Sequence, residues 1–404
     1  MRNVIFAAPF PLETTMRFAR AAGKLEGVRL LGLVQKPPTG ADARLFADTV
    51  VVKDALDSAQ LIAGARELER RHGKIHRVLG ILEPLQVQLA EVRQALGVAG
   101  PDPKTADLFR DKARMKEELR RHGLPCARHK LITTWADAEA FVAEVGLPMV
   151  LKPPAGMGCK STWRISTVDE LRDALRALHA SPTNPALAEE FLRGREYSFE
   201  TITIDGKVRF QSVTRYYPTP LEVTENPWIK WVVVMPRDID TPEFNDARAL
   251  GVKAVQALGL ETGFTHMEWF RRDDGSLAIG EIAARPPGAN IVLQNSYCHD
   301  VDMYRAWARA VVDNAFDGPY QRKYAVGVAF LRGIGRGKVA RVTGVDVANA
   351  KIGKLVVESK LPKVGTPRAD SYEGEGYVVV RDPDTEVVKA AMAAVIESIQ
   401  IEYR

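Results

Sequence analysis

Cysteine is scarce in this 404-residue chain: Cys126, Cys159 and Cys298 stand far apart, without the paired spacing of a zinc site. That excludes a disulfide framework and fits a reducing compartment. Long apolar runs are missing too, so no stretch is expected to cross a bilayer. Residues 1–11 also lack the charged start, apolar core and small-residue cleavage site of a secretory leader. A cytoplasmic address without a membrane partner is therefore expected. Charge of one sign is not in excess either. The formal net charge is +5 and no basic run stands out, which argues against a nucleic-acid partner. The first strand-to-helix turn reads Ala8-Pro9-Phe10-Pro11, with no glycine fingerprint for a dinucleotide. A P-loop is excluded as well, because Cys159 and not glycine precedes Lys160.

The segment Gly263 to Asn290 holds the most chemical information. Two apolar runs, Thr265 to Phe270 and Leu277 to Ala283, flank Asp273-Asp274-Gly275-Ser276, and Asp-Gly is a strong hairpin turn signal. With Asp274 and Gly275 as the turn, Asp273 pairs with Ser276 and Glu268 falls opposite Glu281. Side chains so opposed have Cβ atoms about 5 Å apart and like charges there repel. A hard cation between the two carboxylates relieves this, and oxygen ligands suit Mg²⁺ better than zinc. A solvated edge hairpin with two outward glutamates accounts for the same segment. Under strict alternation His266 shares the face of Glu268, either near reacting groups or as a hydrogen-bonded structural histidine.

Length alone implies two or three domains. Strand-like and helical stretches alternate over residues 1–103 (strands Val4 to Ala7, Arg29 to Val34 and Arg77 to Ile81; helices Thr14 to Ala22 and Val87 to Leu96), predicting an α/β domain with a parallel sheet. Thr105 to His122 reads as one charged helix closed by Gly123. Next come a helix over Trp135 to Val145, a strand over Pro148 to Lys152, a helix over Val168 to Leu178 and a strand over Leu187 to Leu192. A hairpin over Tyr197 to Val213 turns at Asp205-Gly206, and a helix covers Asp246 to Leu258. Strand-like runs and a final helix, Thr385 to Ser398, fill residues 317–404. Arg215 to Arg237, with Tyr216, Tyr217, Trp228 and Trp231, reads as a long aromatic loop, either a pocket lid or packing.

Lys152 ends an apolar strand and precedes a loop containing Gly156 and Gly158, whose backbone N–H groups are free to approach phosphate oxygens. Cys159 in that loop lacks a recognisable partner base and is read as incidental. In Glu189-Glu190-Phe191-Leu192, a strand end offers carbonyl and N–H groups that suit an adenine edge, and Glu196, seven residues after Glu189, suits ribose hydroxyls.

Together these pieces resemble the ATP-grasp superfamily, particularly its carboxylate–amine ligases and the related biotin carboxylases, over about residues 105 to 295. The resemblance implies mixed α/β and α+β architecture: a parallel-sheet domain (1–103), an ATP-grasp domain (104–316, with a lid at about 125–195) and a small β-rich C-terminal domain (317–404). It implies ATP and Mg²⁺, with Mn²⁺ as a possible substitute, and a possible homodimer. Lys112 and Lys152 would touch phosphates, Glu189 the adenine amino group, the backbone at Phe191 and Leu192 the ring, and Glu196 the ribose. Glu268 and Glu281 would bind metal, and Arg285 would steady the transferred phosphoryl group or the substrate carboxylate, acting with Lys152 in catalysis. One position departs from the pattern: Ala283 stands where many members carry a metal-binding asparagine, leaving Asn290 or water to fill that place. The implied activity is an ADP-forming ligase for a small-molecule acid and amine. A bicarbonate-using carboxylase and a non-catalytic nucleotide-binding module are the alternatives.

Overall fold

The computed structural model describes the chain except residues 157, 159, 160, 227, 228, 370 and 372, so Cys159 and Trp228 lie outside the described residues. Strands β1 (Arg2–Ala7), β2 (Val28–Val34), β3 (Asp48–Val51) and β4 (Ile75–Leu79) form a parallel sheet in the order β3-β2-β1-β4. Helices α1 (Glu13–Gly23), α2 (Ser58–His72) and α3 (Gln86–Leu96) connect and cover it. The pairing puts the β1 and β4 carboxyl ends side by side, where open parallel sheets bind ligands.

Sequence reading joined the next two helices into one. The chain instead breaks between α4 (Pro103–Arg110) and α5 (Lys112–Arg121), because Asp111 leaves helical geometry (φ −89°, ψ 110°) and its carboxylate caps the N–H groups of Ala113 and Arg114. The break sets Lys112 on the first turn of a new helix.

A four-stranded sheet, in the order β5-β8-β6-β7, follows: β5 (His129–Ile132), β6 (Met149–Lys152), β7 (Trp163–Ile165) and β8 (Ala186–Glu190), backed by α6 (Trp135–Val145) and α7 (Val168–Ala177). Thr134 and Asp137 form a reciprocal cap on α6, which fixes where that helix starts. Strand β6 pairs Lys152 with Leu187 of β8, bringing the lysine beside the Glu189 strand end.

The largest sheet has eight strands, in the order β13-β12-β9-β10-β11-β14-β17-β16. Its members are β9 (Gly194–Ile204), β10 (Lys207–Tyr217), β11 (Trp231–Met235), β12 (Gly263–Arg272), β13 (Leu277–Ala283), β14 (Ala325–Leu331), β16 (Val356–Lys360) and β17 (Gly376–Asp382), drawn from both sides of residue 317. Strands β15 (Val339–Thr343) and β18 (Gln400–Tyr403) make a separate pair. The remaining helices are α8 (Pro220–Glu225), α9 (Pro242–Ala257), α10 (Ile291–His299), α11 (Met303–Asp313), α12 (Val345–Ile352) and α13 (Thr385–Ser398).

The aromatic segment is not a loop. It comprises the end of β10, helix α8 and strand β11, and β11 pairs on both edges, with β10 and with β14. The Val232-Val233-Val234 run suits that central place, and Trp231 is buried there, stacked on Phe330 at 5.2 Å.

The parallel-sheet domain is seated on the rest by aromatic packing: Phe18 of α1 meets Trp307 of α11 edge-on at 5.1 Å, within one core that includes Ile202, Phe210 and Met303. This contact holds α1 and the β4 carboxyl end against the large sheet. Among the described residues no helix is long and apolar enough to cross a membrane.

Candidate active site

Glu268 does face Glu281, but by a longer route than the sequence implied. The turn has three residues, Asp273-Asp274-Gly275, closed by Arg272 N–H to Ser276 and Gly275 N–H to Arg272, with Gly275 at φ +83°. That slips the register by one, so Trp269 meets Ile279. A bulge at Gly280 then restores the step. A Cβ there would meet the Glu268 carbonyl oxygen at 3.2 Å, a tight contact that glycine avoids. The bulged carbonyl is not wasted, because Lys116 Nζ donates to it.

Four structural units converge on one cavity of about 740 Å³. Lys112, Lys152, Gly156, Gly158, Glu189, Phe191, Leu192, Glu196, Glu268, Glu281, Arg285 and Asn290 all line it. Every residue assigned from the resemblance to nucleotide, metal or catalysis is therefore brought to this cavity.

Lysines and carboxylates neutralise one another across this wall. Lys112 Nζ lies 3.3 Å from Glu281 and donates to the Gly156 carbonyl at 3.1 Å. Glu189 sits between two ammonium groups, Lys116 at 2.8 Å and Lys152 at 2.9 Å. The oxygen toward Lys116 lacks well-directed hydrogen-bond geometry, so that contact is an ion pair by distance. Burial alone would raise both acids, yet Lys116 and Lys152 hold Glu189 at about 2, and Lys112 with Lys152 hold Glu281 at about 2. Burial likewise opposes the Lys152 charge, but Glu189 and Glu281 outweigh it and raise its pKa.

Glu196 behaves oppositely. It pairs across the sheet with Phe270, one step along from the Ser198–Glu268 pair, and is buried. Burial first, then the nearby Glu268 and Glu281 charges, push its pKa well above the ordinary carboxylate range.

His266 is held at Nδ1 by Glu200 at 3.0 Å, while Nε2 lies 3.8 Å from Glu268. Burial disfavours the imidazolium, but these acids overcome it and push the pKa up to about 9. Arg285 is gripped by Glu83 at 2.6 Å, at the β4 carboxyl end. Arg110 reaches both Glu83, at 3.9 Å, and the carbonyl of Gly156, at 3.0 Å. Asn290, at φ +54°, precedes α10 and makes no capping bond with its side chain.

Sequence reasoning missed Lys116, Glu200 and Glu83. Nothing distinguishes Lys116 in a helix rich in Lys, Arg and Glu, and Glu200 is one polar residue in an alternating strand. Glu83 did carry a signal, since it follows a parallel strand at its carboxyl end.

Residues 117–292 match the model of the ATP-grasp domain. The chain contains an ATP-grasp domain. The matched span includes the cavity residues from Lys152 to Asn290, with Lys112 just before it. An L-arginine-specific L-amino acid ligase of Bacillus subtilis is 28% identical over 251 residues, 61% of this chain and 60% of the relative. The chain thus spans about 60% of that relative's length. Among solved structures, the L-amino acid ligase of Bacillus licheniformis superposes with a TM-score of 0.82 at 18% identity, covering 100% of this chain and 99% of that one. Carboxyaminoimidazole ribonucleotide synthase of Aspergillus clavatus, solved with ATP, gives a TM-score of 0.72 at 19% identity, covering 98% of each chain. These likenesses show that the fold of those structures extends over the whole chain.

Proposed function

We propose that this chain is an ADP-forming ligase that joins a carboxylic acid to an amine. The opposition of Glu268 and Glu281 on a cavity wall that also carries Lys112, Lys152 and Arg285 is the observation on which this rests. The wall fits a nucleotide with its metal. Among the described residues no group of three or more His, Cys, Asp or Glu is placed to hold a metal alone. Mg²⁺ is commonly held by one or two carboxylates plus phosphate oxygens, and the crowding of Glu196, Glu268 and Glu281 favours a cation. When bound, Mg²⁺ or a substituting Mn²⁺ would neutralise the phosphate oxygens against Glu268 and Glu281, with Asn290 or water beside them.

The chain's own residues then have separate tasks. Lys112 and Lys152 bind phosphate oxygens, and the backbone around Gly156 and Gly158 cradles them. Glu189, expected from the resemblance at the adenine amino group, has both oxygens on lysines and keeps Lys152 charged and aimed, while the backbone at Phe191 and Leu192 meets the adenine and Glu196 the ribose. Arg285, steadied by Glu83, stabilises charge on the group in transfer. The acid's carboxylate oxygen attacks the γ-phosphorus, releasing ADP; the neutral amine then displaces phosphate from the acylphosphate. Catalysis is positioning and charge neutralisation in a site shielded from water.

ADP release should be screened with purified protein, Mg-ATP and pairs of acids and amines, amino acids first because its relatives are named for them. Product mass identifies the bond. Turnover that needs bicarbonate would redirect the assignment to a carboxylase, and tight nucleotide binding without turnover would leave a binding module.

A further inference from the structure

Several carboxylates of the cavity form no ion pair among the described residues, and one of them is held in place away from the nucleotide end. Glu83 is paired with Arg285, Glu190 with Arg128 and Arg272, and Glu281 with Lys112. Glu189 is paired with Lys116 and Lys152, Glu268 faces His266, Glu196 is assigned to the nucleotide end, and Glu222, Glu225 and Asp273 lie on exposed positions. Glu373 remains, in the connection between β16 and β17. Its Oε1 is pinned by the Ala289 N–H at 2.9 Å, just past Arg285 on the segment that carries Asn290. It forms no ion pair among the described residues; Lys360 acts on it only at a distance. Burial raises its pKa, the sign of a carboxylate short of compensating charge.

We propose that Glu373 selects the substrate by holding an ammonium group on the acid, which makes that acid a zwitterionic amino acid. The ammonium belongs to the acid and not to the attacking amine, because an amine must be neutral to displace phosphate. Apolar walls around the same cavity, from Phe18, Ile81, Leu82, Ile291 and Val292, leave the side chain of such a substrate in a greasy setting. The assignment rests on the ligase reading and deepens it.

The test compares three pairs of acids that differ in the ammonium alone: L-alanine with propionate, L-leucine with 4-methylpentanoate, and L-phenylalanine with 3-phenylpropanoate. Hydroxylamine serves as the common neutral nucleophile, and hydroxamate and ADP are measured. Wild type should favour the amino acid of at least one pair by tenfold or more in kcat/KM. Glu373→Gln should lose about 10- to 100-fold on amino acids, the range for a charge-assisted hydrogen bond, and under twofold on the des-amino acids. Glu373→Asp should retain part of the preference, and ATP KM and Tm should hold in both variants. Equal loss on both members of each pair, or a wild-type preference for the des-amino acids, overturns the proposal. If no acid yields ADP, the ligase reading itself fails. Calorimetric titration of the same six acids into the Mg-ADP complex then decides: binding that needs the ammonium and vanishes in Glu373→Gln supports Glu373, and no such binding overturns it.

Discussion

Replacing Glu196 with glutamine should stabilise the ligand-free protein while weakening its hold on ATP. The sheet register places Glu196 diagonally from Glu268, because Phe270 faces Glu196 while Ser198 faces Glu268. Diagonal neighbours are about 7 Å apart, so at an effective dielectric of about 20 their repulsion is roughly 2 kcal/mol. Attraction to Lys152 offsets part of this, but the raised pKa shows that the balance is unfavourable to charge. A net gain of about 1 kcal/mol corresponds to a rise in Tm of about 2 °C. The pH dependence has a definite sign. An acid whose folded pKa is raised is costless while protonated and costs stability as pH rises above its unfolded value of about 4.5. The Tm advantage of Glu196→Gln should therefore be near zero at pH 4 and grow toward pH 7. ATP affinity should meanwhile fall about tenfold or more, the worth of a charge-assisted hydrogen bond to ribose. Calorimetric melting across that pH range and ATP titration in parallel check both halves. A variant that melts lower than wild type at pH 7, or binds ATP equally well, refutes the reasoning.

Lys152→Ala should weaken ATP far more than adenosine in equilibrium titrations, since the ammonium is assigned to phosphate; equal weakening would mean a structural role. Glu189 and Glu281 are both held near 2, so the stability they contribute is present above about pH 4.5 and is lost as pH falls toward 2. Urea midpoints measured at pH 5, 4 and 3 should drop, and Lys116→Met should flatten that drop. Trp231→Ala should cost about 3–5 kcal/mol of stability as a core truncation, and, because Trp231 and Tyr216 also line the cavity, it should shift substrate preference in whatever folded protein remains. A loss in Tm with unchanged preference would confine Trp231 to packing.

Much of the site was legible because its chemistry travels in short segments. The hairpin, the Lys152 strand end and the Glu189-to-Leu192 run each carry their function within a few residues. The register itself was read for an incomplete reason: a two-residue turn and a three-residue turn followed by a bulge give the same opposition of Glu268 and Glu281, and glycine at 280 eases the second. The helix break at Asp111 escaped notice because amphipathic periodicity continues across it, while the cap depends on a single side chain. Strand β11 was hidden by the aromatics around it, since loops and central strands both carry Trp and Tyr. Glu83, Glu200 and Glu373 are long-range partners, and no local pattern announces a contact 202 residues away such as Arg285 with Glu83.

The lysine–carboxylate wall of the cavity is an internal salt. Under the proposed function, a nucleotide entering with its metal would exchange partners: ammonium groups would pass from carboxylates to phosphates, and Glu281 from Lys112 to the cation. A nucleotide arriving without metal would draw Lys112 away and strand Glu281, and a metal arriving alone would strand the lysine. Each therefore binds better in the presence of the other, and by thermodynamic reciprocity the two affinities rise by the same factor. The pair would then be admitted as a unit, because the protein has already arranged, within itself, the charges that the unit replaces.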